Sequence, residues 1–521
     1  MFTTRKLVVA LGIAGMAAAG AANAAGLVAA GNAFHISGST ALDNQIKAAL
    51  LLGGSGIPAA QQTCAAGTIN VYTDAPVLAS GGNITKAHET TIVCNLSQKI
   101  GTLAAGTTVA FTKESNGGSN EGTVFVANGT ALKFFDATQT PTGCTSVGAI
   151  AAGTYFAHQQ AIAAEFDGCT GTFNNLVPDV GVADEDPALF NVGLQTISPA
   201  LINKLNTTPL FENQFGLAVS LNLYRALQSA QGLSTTNDDT LATMPTLTRQ
   251  QIAGLYSGTI TDWSQLGLTA GTVFTCRRGD NSGTNVSADV YFLHNRCAST
   301  GTPMVQATST TCAGLPAGQT AENNGCTWGS ANLTDVTFAG AATGDVVSCL
   351  DAHSRNGTFA YGHLGATSKF DDPNGASGAA SEAGTSHFRY IAIDGHKPTI
   401  ASMADGVYDY AFDNVENLNT SLSGNALAVG QYLGTLFQNN TALSDILVAQ
   451  PNAKSSGGVV DANYVTGGVV DGLVGTTNTV PATTATVQAN PVSNFTFALA
   501  GTVNNCQNPL PVTNTLTKDP F

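Results

Sequence analysis

Arg278, Asp280, Ser282, Gly283 and Thr284 fall within seven residues of chain, in the stretch RRGDNSGTNVSADVYFL (277–293). A guanidinium carries a planar fork of donors that matches an oxyanion. The two hydroxyls add donors, and a glycine lets the backbone come close to a bound anion. Val286, Val290 and Leu293 recur at helical spacing, which predicts a helix starting near Ser282–Thr284. A helix start leaves N–H groups unsatisfied and carries a partial positive charge, so it attracts anions. Asp280 is placed to brace the Arg278 guanidinium rather than to touch a ligand. One such stretch is ordinarily only a helix cap. The same element recurs near residue 38, in AFHISGSTALDNQIKAALLL, and near residue 116, in TTVAFTKESNGGSNEG. Each reads as strand and then polar glycine turn, with a helix after the first. Several turns of one kind point to an anion site built from separate loops.

The elements that must hold these turns are short strands alternating with helices, the pattern of an α/β fold. In an open α/β sheet, ligands sit beyond the carboxyl ends of the strands, where such turns gather. LVPDVGVADEDPALF reads as a strand running into an acidic turn, and SHFRYIAIDG as another strand. LTRQQIAGLYSG predicts a helix with Thr248 as N-cap and Gly258 as its stop. NALAVGQYLGTLF is also helical in pattern. Residues 53–105, 127–175 and 298–344 are rich in Gly, Thr and Asn and read as loops. The segment from about Pro451 onward fits either a strand or a loose tail.

A chain of 521 residues exceeds what one core normally holds, so two domains are expected. Arg5 and Lys6, the apolar LVVALGIAGMAAA and Ala22-Asn23-Ala24 form a secretory signal peptide over residues 1–24. The mature protein is then periplasmic or secreted, with no membrane insertion. Ten cysteines without any C-x-x-C suit an oxidising compartment and disulfides rather than zinc or haem. Pairing of chain neighbours is the simplest scheme: Cys64/Cys94, Cys144/Cys169, Cys276/Cys297, Cys312/Cys326 and Cys349/Cys506. Without Arg5 and Lys6 the 19 basic residues fall to 17 against 34 acidic ones, a net charge of −17. Nucleic acid and anionic membranes need a basic face, so they are excluded as partners; a small anion, which sees only its local site, is not. Asp184-Glu185-Asp186 and Asp371-Asp372 lack the alternating oxygens of a calcium loop and read as solvated turns. No metal and no cofactor is expected. His35 reads as a strand histidine, His353 and His363 lack a nucleophile nearby, and Trp263 and Trp328 read as core or surface. With no G-x-S-x-G, H-E-x-x-H or P-loop, an enzyme is not expected.

RGDNSGT (278–284) resembles the R-x-D-x-S-G-T loop of the phosphate-binding proteins of ABC transporters. LTRQQIAGLYSGTITDWSQLG (247–267) resembles the segment that leads to it. FHISGSTAL is similar to that family's first ligand loop, ESNGGSNEG (114–122) to its second and DVGVADEDP (179–187) to its Asp-containing third. IAIDGHKPTIASMADGVYDYAF (391–412) resembles the return to the first domain. The matches keep the family's order over residues 33–420. The resemblance implies a two-lobed periplasmic binding protein with two crossing hinge strands, at 215–221 and 387–393. Its first lobe would comprise 25–215 and 390–521, its second 216–389. The implied ligand groups are Ser39 and Thr40, Ser115, Asn116 and Gly117 with Gly118, Asp184, and Arg278, Ser282, Gly283 and Thr284.

The chain also departs from that pattern. The gaps from Thr40 to Ser115 and from Ser115 to Asp184 each hold two cysteines, and read as disulfide-stapled insertions in the first lobe. The family's third loop is nearer Asp-x-Pro, so Asp186 is an alternative to Asp184, and position 41 is Ala where many relatives have an aromatic. The implied function is an exported binding protein for a tetrahedral oxyanion, phosphate first, feeding an ABC permease. A secreted surface or matrix protein that keeps the fold without transport is the alternative. A phosphate-ester hydrolase would need a base or metal that no motif supplies. On this reading Arg278→Ala weakens binding and Arg277→Ala does little.

Overall fold

The computed structural model describes residues 26–438 apart from 55–56, 78–83, 85–86, 116, 157, 192–195, 234–239, 298–300, 307–335, 341–342, 366–387, 400–401 and 403–405; beyond 438 it describes only 469–470, 495–496, 506 and 510–511. The signal segment, Asn116, Cys312, Cys326, Trp328, Asp371, Asp372 and most of the tail therefore lie outside the described residues.

Strands β1 (Ala33–Gly38), β2 (Asn70–Thr73), β3 (Glu89–Asn95) and β4 (Thr108–Glu114) open the chain, with helix α1 (Asp43–Leu51) after β1. Next come α2 (Val126–Asn128), β5 (Leu132–Phe135), β6 (Thr145–Ile150), β7 (Ile162–Asp167), β8 (Phe173–Leu176), β9 (Val180–Ala183) and α3 (Pro199–Ile202). The long β10 (Leu205–Ser220) leads to α4 (Leu221–Ala230), β11 (Thr246–Leu247), α5 (Arg249–Tyr256), β12 (Phe274–Arg278) and α6 (Gly283–Leu293). The chain continues through β13 (Thr337–Gly340), α7 (Thr343–Arg355), β14 (Ala360–Gly365), β15 (Phe388–Ile393), β16 (Ala411–Asn419) and α8 (Gly424–Gln438).

Two sheets share β10. Its first part pairs antiparallel with β16, from Leu205↔Asn419 to Gln214↔Ala411. Its last residues pair with β14 on one side (Phe215↔Gly365) and β15 on the other (Ser220↔Phe388). One sheet thus runs β6-β7-β2-β3-β4-β1-β9-β16-β10 and the other β13-β12-β14-β10-β15-β11. The strand that crosses between lobes is β10. The other expected crossing strand, 387–393, falls on β15, which pairs wholly inside the second sheet; the return is made between β15 and β16. Alternation explains how β10 serves the second lobe: Phe215, Leu217 and Val219 enter one core and Ala218 the opposite one. Gly216 is required there, because a Cβ would lie 2.5 Å from the Tyr390 ring.

Helices α5 and α6 cover one face of the second sheet through Ile252, Leu255, Val286, Val290 and Leu293, and α7 covers the other through Val346, Cys349 and Leu350. α5 starts as its sequence predicts. Gln251 N donates to Thr248 Oγ1 at 3.1 Å, and Thr248 N donates to Gln251 Oε1 at 2.8 Å. In the first lobe α1 and α8 pack Ile46, Leu50, Val429 and Leu433 against Phe34, Ile36 and Phe111.

The two insertions are not loops. β3, β2, β7 and β6 extend the first sheet past β4, and Cys64–Cys94 and Cys144–Cys169 staple them. Thr73, Thr90, Thr91 and Thr145 stand in β2, β3 and β6 and give these strands a loop-like composition. Elsewhere neighbour pairing of cysteines fails: the bonds are Cys276–Cys349 and Cys297–Cys506. Cys276 instead faces the core under α7, where Cys349 meets it. The tail, assigned to the first lobe by resemblance, is bonded at Cys506 to the turn after α6.

Candidate functional site

Four turns converge where the lobes meet. Gly38, at φ +113°, ends β1 so close to β9 that a Cβ would sit 2.0 Å from the Val182 carbonyl oxygen. Ser39 N donates to that oxygen at 2.9 Å, which aims its hydroxyl at Asp184, to which it donates. Asp184 follows β9, is 2% exposed, and its N–H donates to Ser119 Oγ at 3.2 Å. From the second lobe Thr284 Oγ1 donates to Asp184 Oδ2 at 3.4 Å. Gly283 makes this approach possible: a Cβ there would lie 2.4 Å from Ser119 Oγ and 2.6 Å from Asp184 Oδ2. Ser282 is the N-cap of α6, and Asn120 N donates across the lobes to the Asn281 carbonyl at 3.1 Å.

Arg278 ends β12 and is 1% exposed. Its Nη1 donates to Thr343 Oγ1 at 3.1 Å and more distantly to Thr40 Oγ1 at 3.5 Å. Burial pushes its pKa down to about 10, against the opposing charges of Asp184 and Asp345, so it stays a cation at neutral pH. Burial raises Asp184, opposed by the Ser39 hydrogen bond, the Arg278 charge and the bonds with Ser119 and Thr284. Asp186 Oδ1 accepts from Ala188 N at 2.9 Å and caps the next turn, so Asp184 is the carboxylate that stands with Arg278.

Not every sequence-selected residue joins this group. Ser115 turns the other way, accepting from Lys113 Nζ at 2.6 Å and donating to Asp43. Gly117 N donates to Glu121 Oε2 at 3.0 Å. Gly118, at φ +72°, is the part of the second loop that reaches Arg278: its Cβ direction ends 3.7 Å from Nη2. Asp280 does not brace Arg278. It accepts from Arg277 Nη1 at 2.9 Å, while the same nitrogen also donates to the Arg278 carbonyl at 2.9 Å. Adjacent residues of a strand point to opposite faces, so only one arginine can face the cleft. Arg277 is 2% exposed and bonds the turn from behind, so Arg277→Ala, expected to do little to binding, is expected to lower fold stability.

Two site residues escaped the sequence reading. Ser119 lies one position past the stretch selected in ESNGGSNEG. Thr343 lies in TFAGAATGDVVS, again strand, glycine turn and helix, inside a segment read as loop from its composition.

His353 and His363 are internal. His363 Nδ1 shares a hydrogen bond with Tyr256 OH at 2.8 Å, and burial lowers it to about 3. His353 stacks on Phe274 and is lowered to about 4 by burial. Cys276, Cys349 and His353 come together, but the two sulfurs are joined to each other. Trp263 is a core residue at 1% exposure.

Behind the second loop, burial and then the Glu114 carboxyl raise Glu121 to about 9. The folded protein therefore keeps a proton that the unfolded chain releases near 4.5. That stabilisation is complete below the unfolded value and is lost as pH rises toward 9. The melting temperature is expected to fall from pH 5 to pH 9, and Glu121→Gln, which keeps a neutral acceptor for Gly117, to flatten part of the fall. An unchanged slope in Glu121→Gln refutes this assignment.

Residues 196–432 match the family model described as a PBP superfamily domain, and the two-lobed α/β fold seen here agrees with that match. Among curated proteins no relative matches the chain. Solved structures similar to it include a Clostridium perfringens protein with bound phosphate, described as a phosphate ABC transporter substrate-binding protein. That match has 12% identity, covers 80% of this chain and 96% of that one, and has a TM-score of 0.37. An ABC-type phosphate transport receptor from Vibrio cholerae matches at 14% identity over 52% of this chain and 78% of its own, with a TM-score of 0.29. A human phosphate binding apolipoprotein matches at 14% identity over 64% and 86%, with a TM-score of 0.28. At these scores the structures stand beside the family match without adding to it. No described helix is long and apolar enough to cross a membrane.

Proposed function

We propose that this chain is an exported binding protein that closes its lobes, 25–215 with 390–521 and 216–389, on a tetrahedral oxyanion, phosphate first. One observation carries the reading: a buried cation, Arg278, faces a buried carboxylate, Asp184, among hydroxyls from both lobes and the glycine start of α6. The ligand groups are Ser39, Thr40, Gly118, Ser119, Asp184, Arg278, Ser282, Gly283 and Thr284. Ser115 and Gly117 shape the second loop behind them. The cation and helix start attract negative charge, while the carboxylate accepts from a protonated oxygen of the ligand. Delivery to an ABC permease is part of the proposal, and a permease and ATPase encoded beside this chain would support it. The extended, disulfide-stapled first sheet favours the alternative of a secreted surface protein that keeps the site.

Calorimetry and thermal shift with phosphate, arsenate and sulfate test the reading. Heat and a raised melting temperature with phosphate and arsenate are expected. Absence of both with all three anions refutes it, and turnover of an aryl phosphate replaces it with a hydrolase.

A further inference from the structure

We propose that the first turn of α7, through Thr343 and Asp345, is the positioning element for Arg278, the part that Asp280 was expected to play. The proposal deepens the oxyanion reading and rests on it for its consequence in binding. A guanidinium donates and never accepts, so Thr343 Oγ1 is the acceptor of the 3.1 Å bond from Arg278 Nη1. A hydroxyl at a helix start ordinarily accepts from its own helix. Here it accepts from a neighbouring strand.

The surroundings are built for that contact. β12 and β13 run parallel, with Arg278 opposite Gly340 in register, and Gly279 N donates to the Gly340 carbonyl at 2.9 Å. A Cβ on Gly340 would lie 2.5 Å from Asp345 Cβ, so the glycine lets the first turn of α7 close on the strand end. Asp345 is 0% exposed and acts on Arg278 as a negative charge from that side. Farther along, the Cys276–Cys349 bond joins the same strand to the same helix, two residues before Arg278 and six after Thr343. Strand end and helix start are therefore fixed to each other by a hydrogen bond, a close glycine contact and a covalent bond. Asp280 is committed to Arg277 on the opposite face.

Two readouts on the full chain test this, one independent of any ligand. Side-chain ¹H–¹⁵N spectra of the arginine Nε–H groups, with the Arg278 signal assigned by its loss in Arg278→Lys, report whether the guanidinium is fixed. Calorimetry with inorganic phosphate reports the consequence. Thr343→Val removes the acceptor at nearly constant shape; it is expected to broaden or abolish the Arg278 signal and to weaken phosphate by about tenfold. Thr343→Ser is expected to keep both, which a purely structural role for the threonine methyl would not predict. Thr343→Ala serves if the valine variant does not fold. An Arg278 signal as sharp in Thr343→Val as in the wild type overturns the proposal. If the signal is lost but the wild type binds neither phosphate nor arsenate, the positioning role stands and the oxyanion reading falls.

Discussion

Arg278→Ala is expected to weaken phosphate binding by tenfold to a hundredfold or more, the largest loss from any single side chain of the site. Hydrogen bonds to a charged partner are worth about 1.5–3 kcal/mol, and an oxyanion closed between the lobes would lose the guanidinium fork that stands among the site's hydroxyls. Arg278, Asp184 and Thr284 are each at most 3% exposed, so the donor is removed from a buried site, where an unmatched charge is costly. Arg278→Lys restores the charge but not the fork, and should fall between the two. Arg277→Ala supplies the contrast. Arg277 Nη1 ties the Arg278 carbonyl to Asp280 and holds the turn from behind. Its loss should appear first as a lower melting temperature of the ligand-free protein. Equal binding losses from the two substitutions at unchanged melting temperature would show that the two faces of β12 have been exchanged.

That contrast marks where sequence reading stopped. The strand, glycine and helix pattern reaches the elements that carry Ser39 and the start of α6 because its causes are local: the φ of +113° at Gly38, which glycine tolerates, and the helical spacing after Ser282. Thr248 and Gln251 cap α5 for equally local reasons. Which of two adjacent arginines faces the cleft is not local, since the sheet decides it. The same holds for Asp280, whose partner is one position away from the expected one. Cysteine partners are set by which helix covers which strand, so Cys276 finds Cys349 across 73 residues of chain. Composition misled where threonine stood among the strand residues, in β2, β3 and β6. It misled again before α7, where Thr343 repeats the pattern that the other turns had made recognisable.

Asp184 sets the second large effect, the refusal of sulfate. Its carboxyl is held by Ser39 from the first lobe and Thr284 from the second, with Ser119 on its backbone N–H. A protonated phosphate or arsenate oxygen can donate to it. Sulfate at neutral pH has no proton to give, so its oxygens would face carboxylate lone pairs in a buried site. An unmatched buried charge costs several kcal/mol, and sites that demand one specific hydrogen bond reject analogues by roughly 10⁴–10⁵. Phosphate and arsenate are therefore expected to bind and sulfate to be refused by about that factor at neutral pH. Asp184→Asn should narrow the gap, because an amide can donate to sulfate as well as accept from phosphate. The pH dependence has a definite sign. Burial raises the Asp184 pKa, so its carboxyl gains a proton earlier than usual as pH falls. A protonated carboxyl donates, and sulfate should then gain affinity on acidification in the wild type but not in Asp184→Asn. Calorimetric titrations of both anions across that range decide it. Sulfate binding as tight as phosphate at neutral pH would remove Asp184 from contact with the ligand, leaving Arg278 and the α6 start as a site that recognises charge alone.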